Sequence, residues 1–416
     1  MWFCGGGRPY GRPRDFRPLL HRRRGPAGMM LGLLLAQAGV TVLVLEKHVD
    51  FLRDFRGDTI HPSTLEIMHE LGVLDEFLQR PHQEVRALGA QVGEVFLQVA
   101  DFEHLPTHCG FVALMPQWDF LNFLAEQAKR YPGFRLEMEA EATILIEEGG
   151  RVTGLRAETS QGSLAVRADL VVGADGRHSI VREKAGLEIT NLGAPMDVLW
   201  MRLSRHPSDP GQTLGRVGAG RIFMMLNRGD YWQCAYVIRK GGFDQIRRSG
   251  LTAFRDEVVR LAPYLSDRAG ELADWSDIKL LTVAVDRLRV WHRSGLLCIG
   301  DAAHAMSPIG GVGINLAIQD AVAAANILAP RLLQGAPGED DLHAVQRRRE
   351  FPTRATQRLQ LLVQNRVIGQ VLQSTEKLSP PFALRLLGQS PLLRRIPARL
   401  IGIGFRPEHV KLPVVA

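Results

Sequence analysis

The sequence predicts an α/β chain: a parallel sheet at its centre, an antiparallel sheet inserted part-way along, and helices at the C-terminal end. Three observations carry this prediction. A helix-forming apolar run gives way to β-branched residues within 25–46, buried-strand patterns end in glycine loops at two later places, Asp175-Gly176 and Gly300-Asp301, and residues 195–285 become strand-like apart from one helix, 251–264. Strands alternating with helices build parallel sheets, and short strands linked by turns build antiparallel ones.

Composition frames the rest. The 416 residues suit two or three domains, or one large two-domain enzyme, and at 45% hydrophobic and 23% charged they allow a sizeable core. The net charge of +7 is unevenly spread. Residues 1–24 hold seven arginines against the single acid Asp15, so the remaining chain is almost neutral. A basic nucleic-acid groove is therefore not expected. The 4 cysteines form no CxxC pair, so neither a metal site nor a disulfide framework is expected, and a reducing cytoplasm is the default. No secretory signal is evident. The arginines suit a transit peptide in charge, but the segment is neither Ser-rich nor amphipathic.

In chain order, "MMLGLLLAQAGVTVLVL" (29–45) approaches membrane-spanning length. Gly39 divides it into a Leu/Met/Ala half and a Val-rich half, so it reads as helix, glycine cap and buried strand, and no membrane span is expected. Residues 63–79 read as two helices broken at Gly72, 86–100 as strands, and 116–130 as a helix with Pro116 near its start. Residues 134–173 read as strands with a hairpin at Glu-Gly-Gly-Arg. "GLLCIGDAAHAM" returns to a buried strand and loop, and "GVGINLAIQDAVAAANILAPRLL" is a strong helix. The domain reading is an atypical segment 1–24, a discontinuous nucleotide-binding domain (25–85, 101–185 and 286–400), a substrate domain (86–100 and 186–285) and a tail, 401–416.

The three loops carry the chemistry. In the first, Gly25-Pro26-Ala27-Gly28 opens a helix, and Glu46 ends the next strand 18 residues beyond Gly28. Glycines there let a backbone approach a pyrophosphate, the helix N-terminus supplies free N–H groups, and an acid about 20 residues on accepts from a ribose. A plain strand–turn–helix with an exposed glutamate fits the same residues. In the second, a buried strand ends in Asp175-Gly176, and Ser179 caps a helix; a common Asp-Gly turn fits as well. In the third, Gly300-Asp301 follows "LLCI", and Pro308-Ile309-Gly310-Gly311-Val312-Gly313-Ile314-Asn315 opens the long helix. Backbone N–H groups there could stabilise negative charge on a ligand ring. His304 reads better as structural than as catalytic, because no nucleophile pairs with it.

Taken together and in this order, the loops resemble the three fingerprints of the FAD-dependent aromatic hydroxylases, single-component flavin monooxygenases typified by p-hydroxybenzoate hydroxylase. "FRGDTIHPSTLEIMHELGVLDEF" (55–77) and "RPEHV" (406–410) are similar to the same family, especially its phenol- and polyketide-hydroxylating members. The resemblance covers roughly residues 25–410. It implies a Rossmann-like, glutathione-reductase-like FAD-binding fold. It also implies that NADH or NADPH reduces FAD and that oxygen reaches an aromatic substrate through a flavin hydroperoxide.

By the same resemblance, Gly25, Ala27 and Gly28 flank the pyrophosphate, Glu46 holds the ribose and Lys47 lies beside the adenosine. Arg56 and Gln117 touch the ribityl chain or phosphates, and Asp175 and Asp301 are the acids of the later motifs. Pro308, Gly311, Gly313 and Asn315 line the isoalloxazine edge. The chemistry belongs to the cofactor. For a base that deprotonates a phenol, His61, His104 and Tyr236 are candidates, each equally readable as structural. The substrate is expected between the flavin and one apolar face of 221–238. A homodimer is left open. No Trp-x-Trp-x-x-Pro halogenase signature is present. A related flavin oxidoreductase that does not hydroxylate, or a non-catalytic protein with impaired FAD binding, are the alternatives.

Two departures from the family stand out. The C-terminal thioredoxin-like domain of the larger phenol hydroxylases is not expected. At the other end, Arg23 occupies the first position of Gly-x-Gly-x-x-Gly, and residues 1–22 show no strand-like apolar run. A shifted or misassigned start, with ordinary sequence resuming near Gly25, is the expectation, and weakened FAD binding is its consequence.

Overall fold

A computed structural model describes residues 14–15, 19–23, 25–51, 59–211, 213–376 and 378–412. Six strands form the central sheet, in the order 292–293, 296–298, 170–174, 19–23, 42–46 and 134–137. Every neighbouring pair is parallel except the first, which is antiparallel. Val42–Glu46 and Leu170–Ala174 are buried along their whole length, as strands covered on both faces must be.

The structure corrects the reading of the N-terminal segment. Leu19–Arg23, "LLHRR", is a strand in the middle of this sheet. Leu19 lies opposite Leu170 and Val42, and Arg23 opposite Ala174 and Glu46. The strand preceding Gly25 therefore exists, although the segment lacks an apolar pattern. Position explains this. Two parallel strands flank it, and backbone pairing along both edges satisfies N–H and C=O groups whatever the side chains.

Helix α1, Pro26–Gln37, follows directly, with Pro26 in its first turn and every residue buried. It ends ahead of Gly39, whose φ of 84° turns the chain into Val42–Glu46. The apolar run 29–45 is thus helix, turn and strand. Helices α2, Pro62–Glu70, and α3, Leu74–Leu78, are separated at Gly72, and α4, Gln117–Ala128, starts after Pro116. Strands 141–148, 151–159 and 162–167 form an antiparallel meander whose first hairpin turns at Gly149 and Gly150, both at positive φ. Helix α5, Ile180–Lys184, begins at the cap Ser179.

The inserted sheet has seven strands, in the order 279–281, 196–204, 231–239, 221–227, 214–218, 87–92 and 95–101. Residues 87–101 thus join strands more than a hundred positions away. Helices α6, Phe243–Ser249, and α7, Leu251–Leu261, cover one face, so two helices stand where the sequence suggested one. Strand periodicity sorts the side chains. Phe223, Met225, Trp232 and Tyr236 face α7, packing with Phe254 and Val258. Ile222, Ala235 and Val237 face the other way, into a cluster that includes Ile309, Ile368 and Leu372.

Helix α8, Val312–Leu332, runs through the core, and α9, Glu339–Val363, packs along it. A π-helical turn, Gln364–Ile368, leads to α10, Gly369–Gln373, and then to α11, Phe382–Gln389, and α12, Pro391–Gly402. The segment Ile309–Leu332 is long and apolar enough to cross a membrane, but most of it is buried inside the protein.

Candidate active site

The three glycine loops meet at the C-terminal ends of the parallel strands. Gly300 shows how closely. Its φ is +59°, and a Cβ added there would lie 3.0 Å from the Ala317 Cβ and 3.2 Å from the Ala27 Cβ. The Gly300-Asp301 backbone is therefore wedged between the starts of α1 and α8, where only glycine fits. The second loop joins through Ile299, whose N–H donates to Gly173 O at 2.9 Å. Arg182, buried at the start of α5, also reaches across and donates to Ala302 O at 3.3 Å.

The donor set suits an anionic dinucleotide. Helix α1 begins at Gly25 and α8 at Gly311, neither start has a side-chain cap, and neither first turn contains an acid. Two N-termini with their partial positive charge thus open beside the Gly300 loop. Gly311 adopts the left-handed conformation (φ 64°), and a Cβ there would run into Thr59. Glycine-only backbone next to two uncapped helix starts fits a flat, phosphate-bearing group.

The predicted residues divide into those brought to this cradle and those held elsewhere. Gly25, Ala27 and Gly28 form the start of α1, with Gly28 N–H donating to Gly25 O at 3.2 Å. Glu46 is buried at the end of its strand, and one carboxylate oxygen accepts from His48 N–H at 3.2 Å. Lys47 forms an ion pair with Glu141 at 3.6 Å. Arg56 lies outside the described residues. Gln117 is buried in the first turn of α4. Asp175 is buried and accepts from the Ser179 hydroxyl and from the Ile180 and Val181 amides, so it shapes the loop and caps α5. Asp301 is partly exposed and lies 3.7 Å from Arg177.

Pro308 leads into the Gly310-Gly311 turn, and Gly313 sits in the first turn of α8. Asn315 is fully engaged. Its Oδ1 accepts from His61 N–H and the Thr64 hydroxyl, both at 2.8 Å, and its Nδ2 donates to Thr59 O at 3.0 Å and Gly311 O at 3.3 Å. It therefore fastens the start of α8 to 59–64.

Of the base candidates, His61 is buried beside this clamp. Its Nδ1–H donates to Ile401 O at 2.7 Å, and burial lowers its pKa to about 4 despite that hydrogen bond. It is neutral at pH 7. His104 is exposed. Tyr236 is not brought to the cradle. It packs edge-on to Phe254 on the α7 side of the sheet, and burial, helped by Glu257, pushes its phenol up.

Sequence reasoning missed two sets of residues that hold the third loop. Asp320 on α8 is fully buried and accepts from Gly300 N–H at 3.0 Å, the His304 ring at 2.5 Å and Arg349 Nε at 2.9 Å. Burial raises its pKa, but His304 and Arg349 outweigh that and hold it below the ordinary carboxylate range. Arg349 continues to Glu408, which also binds Arg348, so "RPEHV" is tied to the loop through buried charge. The second set is Gln357, Gln360 and Gln364, whose carboxamides contact residues 305–309. Their spacing of three and four puts the glutamines on one helix face, but nothing in the sequence marks that face as the buried one.

The segment 24–359 matches the family model described as "FAD binding domain". The chain belongs to this FAD-binding family. It is 32% identical over 392 residues to a 6-methylpretetramide 4-monooxygenase of Streptomyces rimosus, covering 93% of this chain and 92% of that protein. It is 30% identical to a rifampicin monooxygenase of Streptomyces venezuelae, covering 71% of this chain but only 60% of that longer protein. In fold it is similar to p-nitrophenol 4-monooxygenase PnpA from Pseudomonas putida, with a TM-score of 0.73 at 19% identity over 92% of this chain and 97% of that one. FAD is the cofactor of the family, and by kinship the chain is an FAD-dependent monooxygenase.

Proposed function

We propose that this chain uses NADH or NADPH and O2 to hydroxylate an aromatic small molecule of phenolic or polyketide type. The convergence of the Gly25, Asp175 and Gly300 loops on two uncapped helix starts carries this reading, and the relative that matches along nearly its whole length acts on 6-methylpretetramide by name. One oxygen atom would pass to the ring and the other leave as water, with the two electrons coming from NAD(P)H. FAD, when bound, supplies the redox chemistry.

The protein's part is binding, orientation and exclusion of water. Gly25, Ala27 and Gly28 would bring the start of α1 to the pyrophosphate. Glu46 would accept from the ribose, with Lys47 alongside. Arg56, Gln117 and Asp301 would hold the ribityl side, and Asp175 would shape the neighbouring loop. Pro308, Gly311, Gly313 and Asn315 would frame the ring edge, with the α8 N-terminus favouring negative charge there. The substrate would lie against the Ile222, Ala235 and Val237 face near Ile309. No protein nucleophile is needed. The described cysteines, Cys109, Cys234 and Cys298, are free and buried, in keeping with a cytoplasmic enzyme.

The test is an absorbance spectrum of the purified protein, followed by NAD(P)H oxidation with a panel of phenols and aromatic polyketides. Bound flavin and a product carrying one added oxygen support the proposal. Flavin with substrate-independent oxidation and no oxygenated product points to a non-hydroxylating oxidoreductase. Absence of flavin, and no uptake of added FAD, overturns the enzyme reading.

A further inference from the structure

We infer that the three glutamines of α9 and the π-helical turn form a ladder that positions the loop 305–309, with Gln360 as its central rung. This rests on the proposed function, because it gives that loop its task. The geometry is specific. Gln357 Nε2 donates to Ala305 O at 3.2 Å and to Asp286 O at 2.7 Å. Gln360 Oε1 accepts from Ser307 N–H at 3.1 Å, while its Nε2 donates to Ser307 O and Ile309 O, both at 2.9 Å. Gln364 Nε2 contacts the Ser307 hydroxyl at 2.7 Å. All three glutamines are at least nine-tenths buried.

Gln360 thus treats Ser307 as a neighbouring β-strand would, pairing with both its N–H and its C=O. A carboxamide is the side chain that can do this, having a donor and an acceptor in one plane. The loop needs such help. Residues 306–309 belong to no strand, and buried backbone groups left unpaired are costly. The spacings of three and four place the rungs on one helical face. The π turn begins at Gln364 itself, and such turns are frequent at functional sites. Ile309 and Ile368 then meet in the apolar cluster on the inner face of the seven-stranded sheet. The ladder therefore sets the distance between Pro308-Ile309-Gly310 and whatever binds at that face.

Displacement of a positioning loop by about 1 Å can cost on the order of a hundredfold in rate. The consequence here is a loss of coupling. NAD(P)H is still oxidised, but dioxygen leaves as hydrogen peroxide instead of delivering one atom to the ring and one to water. Gln360 is a positioning residue and takes no part in bond making.

The experiment compares hydroxylated product formed per NAD(P)H consumed, and peroxide released, in the FAD-loaded parent and in Gln360→Leu, Gln360→Glu and Gln346→Leu. Gln346 holds Trp291 N–H and Arg289 O lower on the same helix, so it is the structural control. Gln360→Leu is expected to lower coupling by roughly tenfold, while Gln346→Leu lowers thermal stability only. Gln360→Glu gives the sharper signature. Its neutral carboxyl can still accept from Ser307 N–H and donate to one carbonyl, whereas its carboxylate faces two carbonyl oxygens in a buried site, which raises its pKa. Coupling in Gln360→Glu should approach the parent's at low pH and fall as pH rises, relative to the parent profile. The inference is overturned if Gln360→Leu couples as well as the parent, or if Gln360→Glu follows the parent's pH profile. If Gln360→Leu does not fold, Gln360→Glu and Gln364→Met decide by the same readout. A parent that forms no hydroxylated product instead sinks the proposed function.

Discussion

The first and third glycine loops do similar work, but the third leans on side chains where the first relies on backbone pairing. The loop after Leu19–Arg23 is placed by backbone: a strand paired on both sides, then a helix starting at Gly25. The loop from Gly300 to Gly311 pairs through its backbone at 303–305 with 286–288, and side chains from α8, α9 and the π-helical turn, Asp320, Gln357, Gln360 and Gln364, hold it at successive points. Backbone pairing is indifferent to side-chain identity, so the first loop tolerates "LLHRR" where an apolar strand is usual. Side-chain support depends on chemistry, so the third loop should be intolerant of small changes. Substitutions test this asymmetry.

The largest effect is expected at Asp320. Asp320→Ala leaves the fully buried Arg349 without one of its carboxylates and Gly300 N–H without an acceptor, a loss of about 3–5 kcal/mol that thermal or urea unfolding would detect. An unchanged midpoint would mean that side chains do not hold the third loop. Gly300→Val comes next. Positive φ costs a side-chain-bearing residue about 1–2 kcal/mol, and the crowding against Ala27 and Ala317 adds about 1–3 kcal/mol. FAD retention by this variant should fall with stability, because both helix starts would shift.

His61 sharpens the comparison through pH. Its folded pKa of about 4 lies below the ordinary value of 6.5, so the unfolded chain takes up the proton first as pH falls. Its contribution is complete above about pH 6.5 and is lost progressively down to about pH 4. Urea midpoints should thus show a loss of about 2 kcal/mol between pH 7 and pH 5 that is missing in His61→Asn. The same slope in both proteins would remove His61 from the account.

In the first loop, Arg23→Gly restores the glycine at the strand end and should tighten FAD binding by only about fivefold to tenfold, near 1 kcal/mol. A change of several orders of magnitude would show that the N-terminal sequence, not the third loop, limits the site. The smallest effect belongs to Tyr236→Phe. It faces α7, so hydroxylation should stay within about twofold of the parent and stability within about 1 kcal/mol. A large loss of turnover would bring Tyr236 back as a base.

What the sequence made legible follows the same division. Glycines, Asp-Gly turns, helix caps and the apolar run 29–45 are local signals, and the loops, α1, α4 and α8 lie where those signals point. The strand Leu19–Arg23 was not legible, because its conformation comes from neighbours at 42–46 and 170–174. Residues 86–100 read as strands, but the pairing of 87–92 with 214–218 is set by tertiary packing. Asp320, Gln357, Gln360 and Gln364 read as ordinary helix residues, since burial and partners are not written in helical spacing alone. Asn315 was singled out for the ring edge, and the structure places all its polar atoms in a clamp on 59–64.

The most direct measurement follows purified protein with bound FAD, NAD(P)H and an aromatic polyketide under isotope-labelled dioxygen, with mass analysis of the product. The account predicts one labelled oxygen on the ring, formed in step with NAD(P)H oxidation. Flavin-loaded protein that oxidises NAD(P)H across the panel and yields only peroxide would contradict it.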